Sequence, residues 1–432
     1  MSIPQEFTAE AVAQLKDEAT AGGLAYRAFH TSQEPYRSLI DHNPWLRPPD
    51  PEQQLEWNAG WYYDTTIGRL HADWCDKGLP VPTRDAMQLQ RDFVEWGYCL
   101  VEDGVSADQC TVLYNRVAEQ AEAERRLGIA HVSPAQQHLW ALINKGEVFE
   151  ACMQHDAGAV QSGPLLEYLL DEFLGRGWHH LSCIANISFP GCHPQGLHQD
   201  QSLIAPYVTE RAPVLVNTVY ILQDVDQHNG GTLLIPGSHR LQRDEGQQFG
   251  ELPRPINLEA PAGTILLMDG RVLHGGAVNH SDKLRYIITN SVVRPWVRQQ
   301  ECFHLTIRPE VLARASDKLL YRCGFQATAA NSMVEGYGYA GSGREGDGNG
   351  ALQHARQIMD ASNYSWVGRW IRPAWKACVP RISRWARFSR PMSGRAAIAL
   401  RDCSSGWIRA LVRTSTYKNG SHYAYWNFRP KF

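Results

Sequence analysis

The chain lacks any run of about 20 consecutive apolar residues, which excludes a helix spanning a bilayer. Its start, MSIPQEFTAEAVAQLKDEA, lacks the charged-then-apolar pattern of a secretory signal, and acids arrive early. The 10 cysteines form no C-x-x-C pair, which argues against a zinc knuckle or a dithiol redox motif. Free thiols in a cytoplasmic protein are the expected state. No internal repeat is visible. What the chain does have is 432 residues at 43% hydrophobic, enough for one large or two modest domains around a sizeable core.

The organisation reads in four parts. Residues 1–84 include NPWLRPPDPEQQLEWNAGWYYDTT, rich in Trp, Tyr and Pro, and are expected to form a wrap or a pocket wall. Residues 85–302 are the expected core. Helical patterns fall near 85–96 and 107–126, the second with Ser106 as a good N-cap. Residues 181–300 alternate short β-branched runs with Gly, Pro, Asn and Asp turns, VLVNTVYILQD being the clearest strand. Residues 303–362 are expected to be a helical and Gly-rich linker or loop, with seven glycines in GYGYAGSGREGDGNG. Residues 363–432 form a basic extension. It holds 14 Lys plus Arg and a single acid, Asp402, giving +13 (14 − 1) and leaving −16 (−3 − 13) for the preceding residues. Six of the 14 tryptophans lie there: Trp366, Trp370, Trp375, Trp385, Trp407 and Trp426.

Chemistry is concentrated at His198–Asp200, followed by a lone His274 and by Arg285. H-x-D/E triplets arise by chance in a chain with 17 His and 45 Asp plus Glu, and three occur, the others being His71–Asp73 and His280–Asp282. Context selects among them. His198 follows LSCIANISFPG, a β-rich run, and on a strand residues i and i+2 share a face, so both side chains would reach one metal. His280–Asp282 reads as a turn and His71–Asp73 as a local helix start. His274 and Arg285 fall on consecutive strands expected to pair. Two histidines and one carboxylate with no further protein ligand leave positions open on a metal, the diagnostic geometry of a non-haem Fe(II) oxygenase. Arg285 offers a fixed planar cation suited to the far carboxylate of 2-oxoglutarate.

GLHQDQSLIAPY, HNGGTLLIPGSHRL and GTILLMDGRVLHGGAVNHSDKLRYIITNSV, in that order, resemble the phytanoyl-CoA dioxygenase family of Fe(II)- and 2-oxoglutarate-dependent oxygenases. LQRDFVEWGYCLVEDGVSADQCTVLYNRV and LWALINKGEVFEACMQHD resemble its entry and middle helices, so the likeness covers roughly residues 85–300. The resemblance implies that His198, Asp200 and His274 hold iron and that Arg285 binds the co-substrate. It places Lys145 near a second cation position, against a plain helix-end lysine. Thr232, after the Gly230–Gly231 turn, is expected to face the pocket or to be structural. Ser238–His239 is expected to shape a turn. Gln201 departs from the family, several members of which carry an aromatic residue there. Asp200 is present, which argues against halogenation.

The expected fold is α+β to mainly β: a double-stranded β-helix, a jelly-roll of the cupin kind, with covering helices and a basic C-terminal extension. The expected function is an Fe(II)/2-oxoglutarate dioxygenase that uses O2 to oxidise an unactivated C–H bond of a small natural-product or acyl-type substrate, by default hydroxylation. Two other classes compete: a non-catalytic metal-binding scaffold, and a Zn(II) hydrolase on the same ligands. The tail is expected to dock on the acidic body, bind an acidic carrier protein, or lie on an anionic membrane surface. Nucleic acid is not an expected partner. The expected location is the cytoplasm, with peripheral membrane attachment as the competing reading.

Overall fold

The computed structural model describes residues 4–15, 42–43, 67–204, 212–241 and 251–325. The chain divides into two units, Met1–Tyr364 and Ser365–Phe432, and the second lies outside the described residues. So do most of the aromatic N-terminal segment, the Gly-rich stretch and the whole basic tail.

Between residues 86 and 174, four helices precede or interrupt the first strands. In α1 (Ala86–Trp96), Asp85 caps the start by accepting from the Met87 and Gln88 N–H groups. Gly97 ends it in the left-handed region at φ 78°, where a Cβ would come within 2.5 Å of both His239 and Val272. Strand β1 (Tyr98–Val101) follows at once. Helix α2 (Ala107–Arg126) opens with a capping box, Ser106 and Gln109 each serving the other's backbone N–H. Helices α3 (Glu147–Met153) and α4 (Gly163–Leu174) complete the layer.

Among the described residues, ten strands form two antiparallel sheets. The remaining strands are β2 (His131–Val132), β3 (Gln137–Leu139), β4 (His179–Ser188), β5 (Leu215–Ile221), β6 (Thr232–Leu234), β7 (Ile256–Asn257), β8 (Ile265–Asp269), β9 (His274–Gly276) and β10 (Arg285–Val293). The larger sheet runs β1-β8-β5-β10-β4-β3-β2 and the smaller β7-β6-β9. Strand alternation divides the larger sheet into two faces. Cys183, Ala185, Val216, Tyr220, Ile288 and Val292 pack under Leu113, Val117, Phe149, Leu166 and Leu170 of the helices. Their strand neighbours Ile184, Asn186, Asn217, Ile287, Thr289 and Ser291 line a cavity on the other side. Both faces are therefore covered, and burying these apolar side chains supplies the main stabilisation.

Short helices α5 (Phe303–Thr306), α6 (Pro309–Arg314) and α7 (Asp317–Arg322) close the helical side. Phe303, Leu319 and Leu320 join the same core. The described parts of the N-terminal segment pack on the body. Phe7 stacks on Phe189 at 4.3 Å, and the Trp74 indole donates to the Arg254 carbonyl at 3.0 Å. His71–Asp73 sits in a run of turns rather than at the expected helix start. No helix among the described residues is long and apolar enough to cross a membrane.

Candidate metal centre

The two histidines are brought together by backbone pairing. His198 and His274 form an antiparallel bridge, each N–H donating to the other's carbonyl at 2.9 and 3.0 Å. Their rings lie 4.4 Å apart. His274 Nδ1 lies 3.0 Å from the Val272 carbonyl and His198 Nδ1 lies 2.8 Å from that of Gly196. A carbonyl only accepts, so Nδ1 carries a proton in both rings and Nε2 is the atom left for a metal. Gly275 permits the close packing: a Cβ there would meet the Gln195 carbonyl at 2.9 Å.

Asp200 completes the group. It opens a 3-10 turn (Asp200–Leu203), so it does not continue a strand from His198 as the spacing suggested. The turn still returns its carboxylate to the histidines. Oδ1 lies 3.4 Å from His198 Nε2 and Oδ2 lies 3.5 Å from His274 Nε2. All three ligand atoms fall within 4.8 Å of one another. Burial alone would push the Asp200 carboxyl up, but the two imidazoles outweigh it and hold the group well below the usual carboxylate range. The same pairing raises the His198 imidazole, so a metal would take the place of protons between these groups; the donor set it would meet is two imidazole nitrogens and a carboxylate on one side of a cavity of about 660 Å³.

Arg285 approaches from another direction than expected. His274 is on β9 of the smaller sheet and Arg285 on β10 of the larger, so the two do not pair as neighbouring strands. They line one cavity from different sheets, because the Asn279–Lys283 turn carries the chain from one sheet to the other. Arg285 is 2% exposed. Its Nη2 donates to the Ser188 hydroxyl at 2.8 Å, from the residue directly across the strand pair. Its Nε has no hydrogen-bond partner. Burial pulls its pKa down to about 10, so it remains a cation at neutral pH. No carboxylate among the described residues pairs with it. A buried guanidinium in that state fits an anionic ligand, since an unpaired buried charge is costly.

Thr232 also lines the cavity, at the start of β6 opposite Gly276. Lys145 does not. It ion-pairs with Glu124 of α2, and α2 and the cavity lie on opposite faces of the larger sheet. The lysine expected from the resemblance as a second cation near the co-substrate is a helix-end residue holding one helix to another. Ser238–His239 forms a short 3-10 turn, and Ser238 accepts from the Leu273 N–H at 2.8 Å, bracing the strand that carries His274. Gln201 is buried and structural: its Oε1 accepts from the Val214 and Leu215 N–H groups at 2.8 and 3.3 Å, tying the metal turn to β5.

Residues 93–287 match the family Phytanoyl-CoA dioxygenase (PhyH). The cofactors of that family are Fe(II), 2-oxoglutarate and O2, and the His-Asp-His group supplies a fitting donor set for the iron. The chain is similar to the multifunctional dioxygenase prhA of Penicillium brasilianum, 25% identical over 172 residues, which are 37% of this chain and 56% of that one. It is similar to the multifunctional dioxygenase ausE of Aspergillus calidoustus, 30% identical over 37% of this chain and 57% of that one. The chain spans about half the length of these curated relatives. Among solved structures, the non-haem α-ketoglutarate-dependent epimerase SnoN from nogalamycin biosynthesis aligns at 16% identity and a TM-score of 0.40, over 52% of this chain and 89% of that one.

Sequence reading missed Ser188, Asn217 and Ser291 around this site. One signal was available: Asn217 interrupts the most apolar strand, VLVNTVYI, with a residue that is a poor strand former.

Proposed function

We propose that this domain is an Fe(II)- and 2-oxoglutarate-dependent dioxygenase that oxidises an unactivated C–H bond of a small organic molecule, with hydroxylation as the outcome. The observation that carries the reading is the pairing of the open His198/Asp200/His274 group with the buried Arg285 in the same cavity. A zinc hydrolase or a scaffold would use the first and leave the second without an anion.

His198, Asp200 and His274 would hold the iron, with Asp200 supplying one negative charge. Arg285 would grip the far carboxylate of 2-oxoglutarate through the edge that Ser188 leaves free, as a planar fork matches a carboxylate. Thr232 would offer a hydroxyl from the smaller sheet. Bound iron with 2-oxoglutarate and O2 supplies the oxidising power, and succinate and CO2 leave. The protein's own share is to position the substrate and exclude water. Ile184, Leu181, Ile204 and Ile287 give the cavity an apolar wall, and Trp140 and Trp296 stand at its lining with 40% and 57% exposure. Such a lining suits a medium-sized, partly apolar substrate of the natural-product or acyl type. The two sheets on either side of the cavity are read as the halves of a double-stranded β-helix.

The basic residues 363–432 are proposed to serve a partner, either an acidic carrier protein or an anionic membrane surface, and the protein to act in the cytoplasm. The test of the central reading is anaerobic binding of 2-oxoglutarate to the Fe(II)-loaded protein. One 2-oxoglutarate per chain, lost in Arg285→Ala, is the expected result. No binding to wild type would overturn the assignment.

A further inference from the structure

We infer that Asn217, oriented by Ser291, is a positioning residue that keeps Asp200 a one-oxygen ligand of the metal. The inference rests on the dioxygenase reading and names a residue pair to which that reading assigns no role.

The geometry is a short chain of donors. Asn217 on β5 and Ser291 on β10 are direct cross-strand partners. The Ser291 hydroxyl donates to Asn217 Oδ1 at 2.6 Å, and Asn217 Nδ2 donates to Asp200 Oδ2 at 2.8 Å. Only this amide orientation is consistent. An ionised carboxylate accepts and never donates, so the reverse orientation would set two acceptors against each other. Ser291 holds the amide in the productive sense. Asn217 and Ser291 are 1% and 7% exposed, so water does not compete with either bond. An amide on a buried strand is costly unless it is bonded, and here it is bonded on both sides.

The consequence falls on the carboxylate. Among the described residues, Asn217 is the one hydrogen-bond donor to Asp200 from outside the histidine pair. It occupies Oδ2 and leaves Oδ1 as the oxygen free for metal. A carboxylate that bound through both oxygens would take up a position that the co-substrate or O2 needs. The Asn217 amide prevents that by engaging one oxygen, as outer partners commonly orient metal-bound carboxylates.

The test uses the full chain, with Asn217→Leu, Ser291→Ala and Ser291→Thr. Three quantities are read: melting of the metal-free protein, anaerobic Fe(II) affinity by competition with a chromophoric chelator, and 2-oxoglutarate affinity from the visible charge-transfer band. Asn217→Leu is expected to fold, with a lower melting temperature, yet bind Fe(II) about 10-fold or more weakly, the usual loss when an outer partner is removed. Its affinity for 2-oxoglutarate should fall as well. Ser291→Ala should show the same pattern more weakly, and Ser291→Thr, which retains the hydroxyl, should restore wild-type binding. Wild-type affinities in both Asn217→Leu and Ser291→Ala would overturn the inference. If Asn217→Leu fails to fold, Ser291→Ala decides in the same sense. A wild type that binds no Fe(II) would overturn the dioxygenase reading itself, and the inference with it.

Discussion

At the scale of single residues, the centre is made of groups whose tautomers and charges are set by their neighbours. Carbonyl contacts at Nδ1 turn both Nε2 atoms toward the metal position. Asp200 stays ionised because the imidazoles outweigh its burial. His274→Ala and Asp200→Ala are each expected to abolish substrate-dependent succinate formation; wild-type turnover in either would sink the iron assignment. Arg285 has one identified bond, from Nη2, and an Nε without a partner. Arg285→Ala should raise the dissociation constant of 2-oxoglutarate roughly 30-fold or more, because losing one partner of a buried charged pair costs about 2–5 kcal/mol. Titration calorimetry on the anaerobic Fe(II) form checks this, and an unchanged constant would move the anion site elsewhere. Lysine at 285 should restore little, since a point charge cannot reproduce the planar fork.

At the scale of elements, the helical layer is tied together by a buried charged cluster remote from the cavity. Glu167 on α4 ion-pairs with Arg322 and Lys318 of α7 and meets His155 Nδ1 at 3.1 Å. Arg322 also lies 3.3 Å over the Trp178 ring. Burial drives His155 down, so it acts as a neutral hydrogen-bond donor. Burial alone would raise Glu167, but His155, Arg322 and Lys318 together lower it from 4.5 to about 2. A depressed carboxyl pKa stabilises the fold above the unfolded value and loses that effect as pH falls through the folded value. Glu167→Gln should therefore cost roughly 3 kcal/mol near pH 7. The gap from wild type should close between pH 4.5 and 2, as followed by denaturant unfolding. A gap independent of pH would mean that packing, not charge, holds the cluster. The capping box of α2 is a smaller element: Ser106→Ala should lower stability by about 1 kcal/mol with the same reporter.

At the scale of the whole molecule, the metal centre links distant stretches of chain: a bridge residue, a 3-10 turn and a strand of the smaller sheet. The unfolded chain does not hold these groups together, so metal binding adds to folding stability. Fe(II) at about 100 times its dissociation constant should stabilise wild type by about 2.7 kcal/mol. Asp200→Ala should show no such shift in an anaerobic melt, and a shift equal to wild type would place the metal elsewhere. Removal of residues 363–432 should leave turnover of a free small substrate intact while abolishing carrier or membrane binding. Loss of turnover would make the tail part of the catalytic body.

Much of this was legible in the order of residues. Ser106 with Gln109 marked the start of α2, because capping is a local effect of short range in the chain. The H-x-D pair, His274 and Arg285 pointed to a metal and an anion by their chemistry, and the structure brings all four residues to one cavity. Their partners were not legible. Strands β4, β5 and β10 are buried on both faces, so their alternation between helix and cavity leaves little trace in hydropathy. Spacing placed His274 and Arg285 side by side, yet the chain changes sheet between them and sets them in different walls. Lys145 looked like a cation for the cavity, and packing turned it toward Glu124. The sequence by itself determined which chemical groups are present and where the capped helices α1 and α2 begin. Only the tertiary structure decided which groups meet, because pairings between distant strands depend on how the whole chain buries its two faces at once.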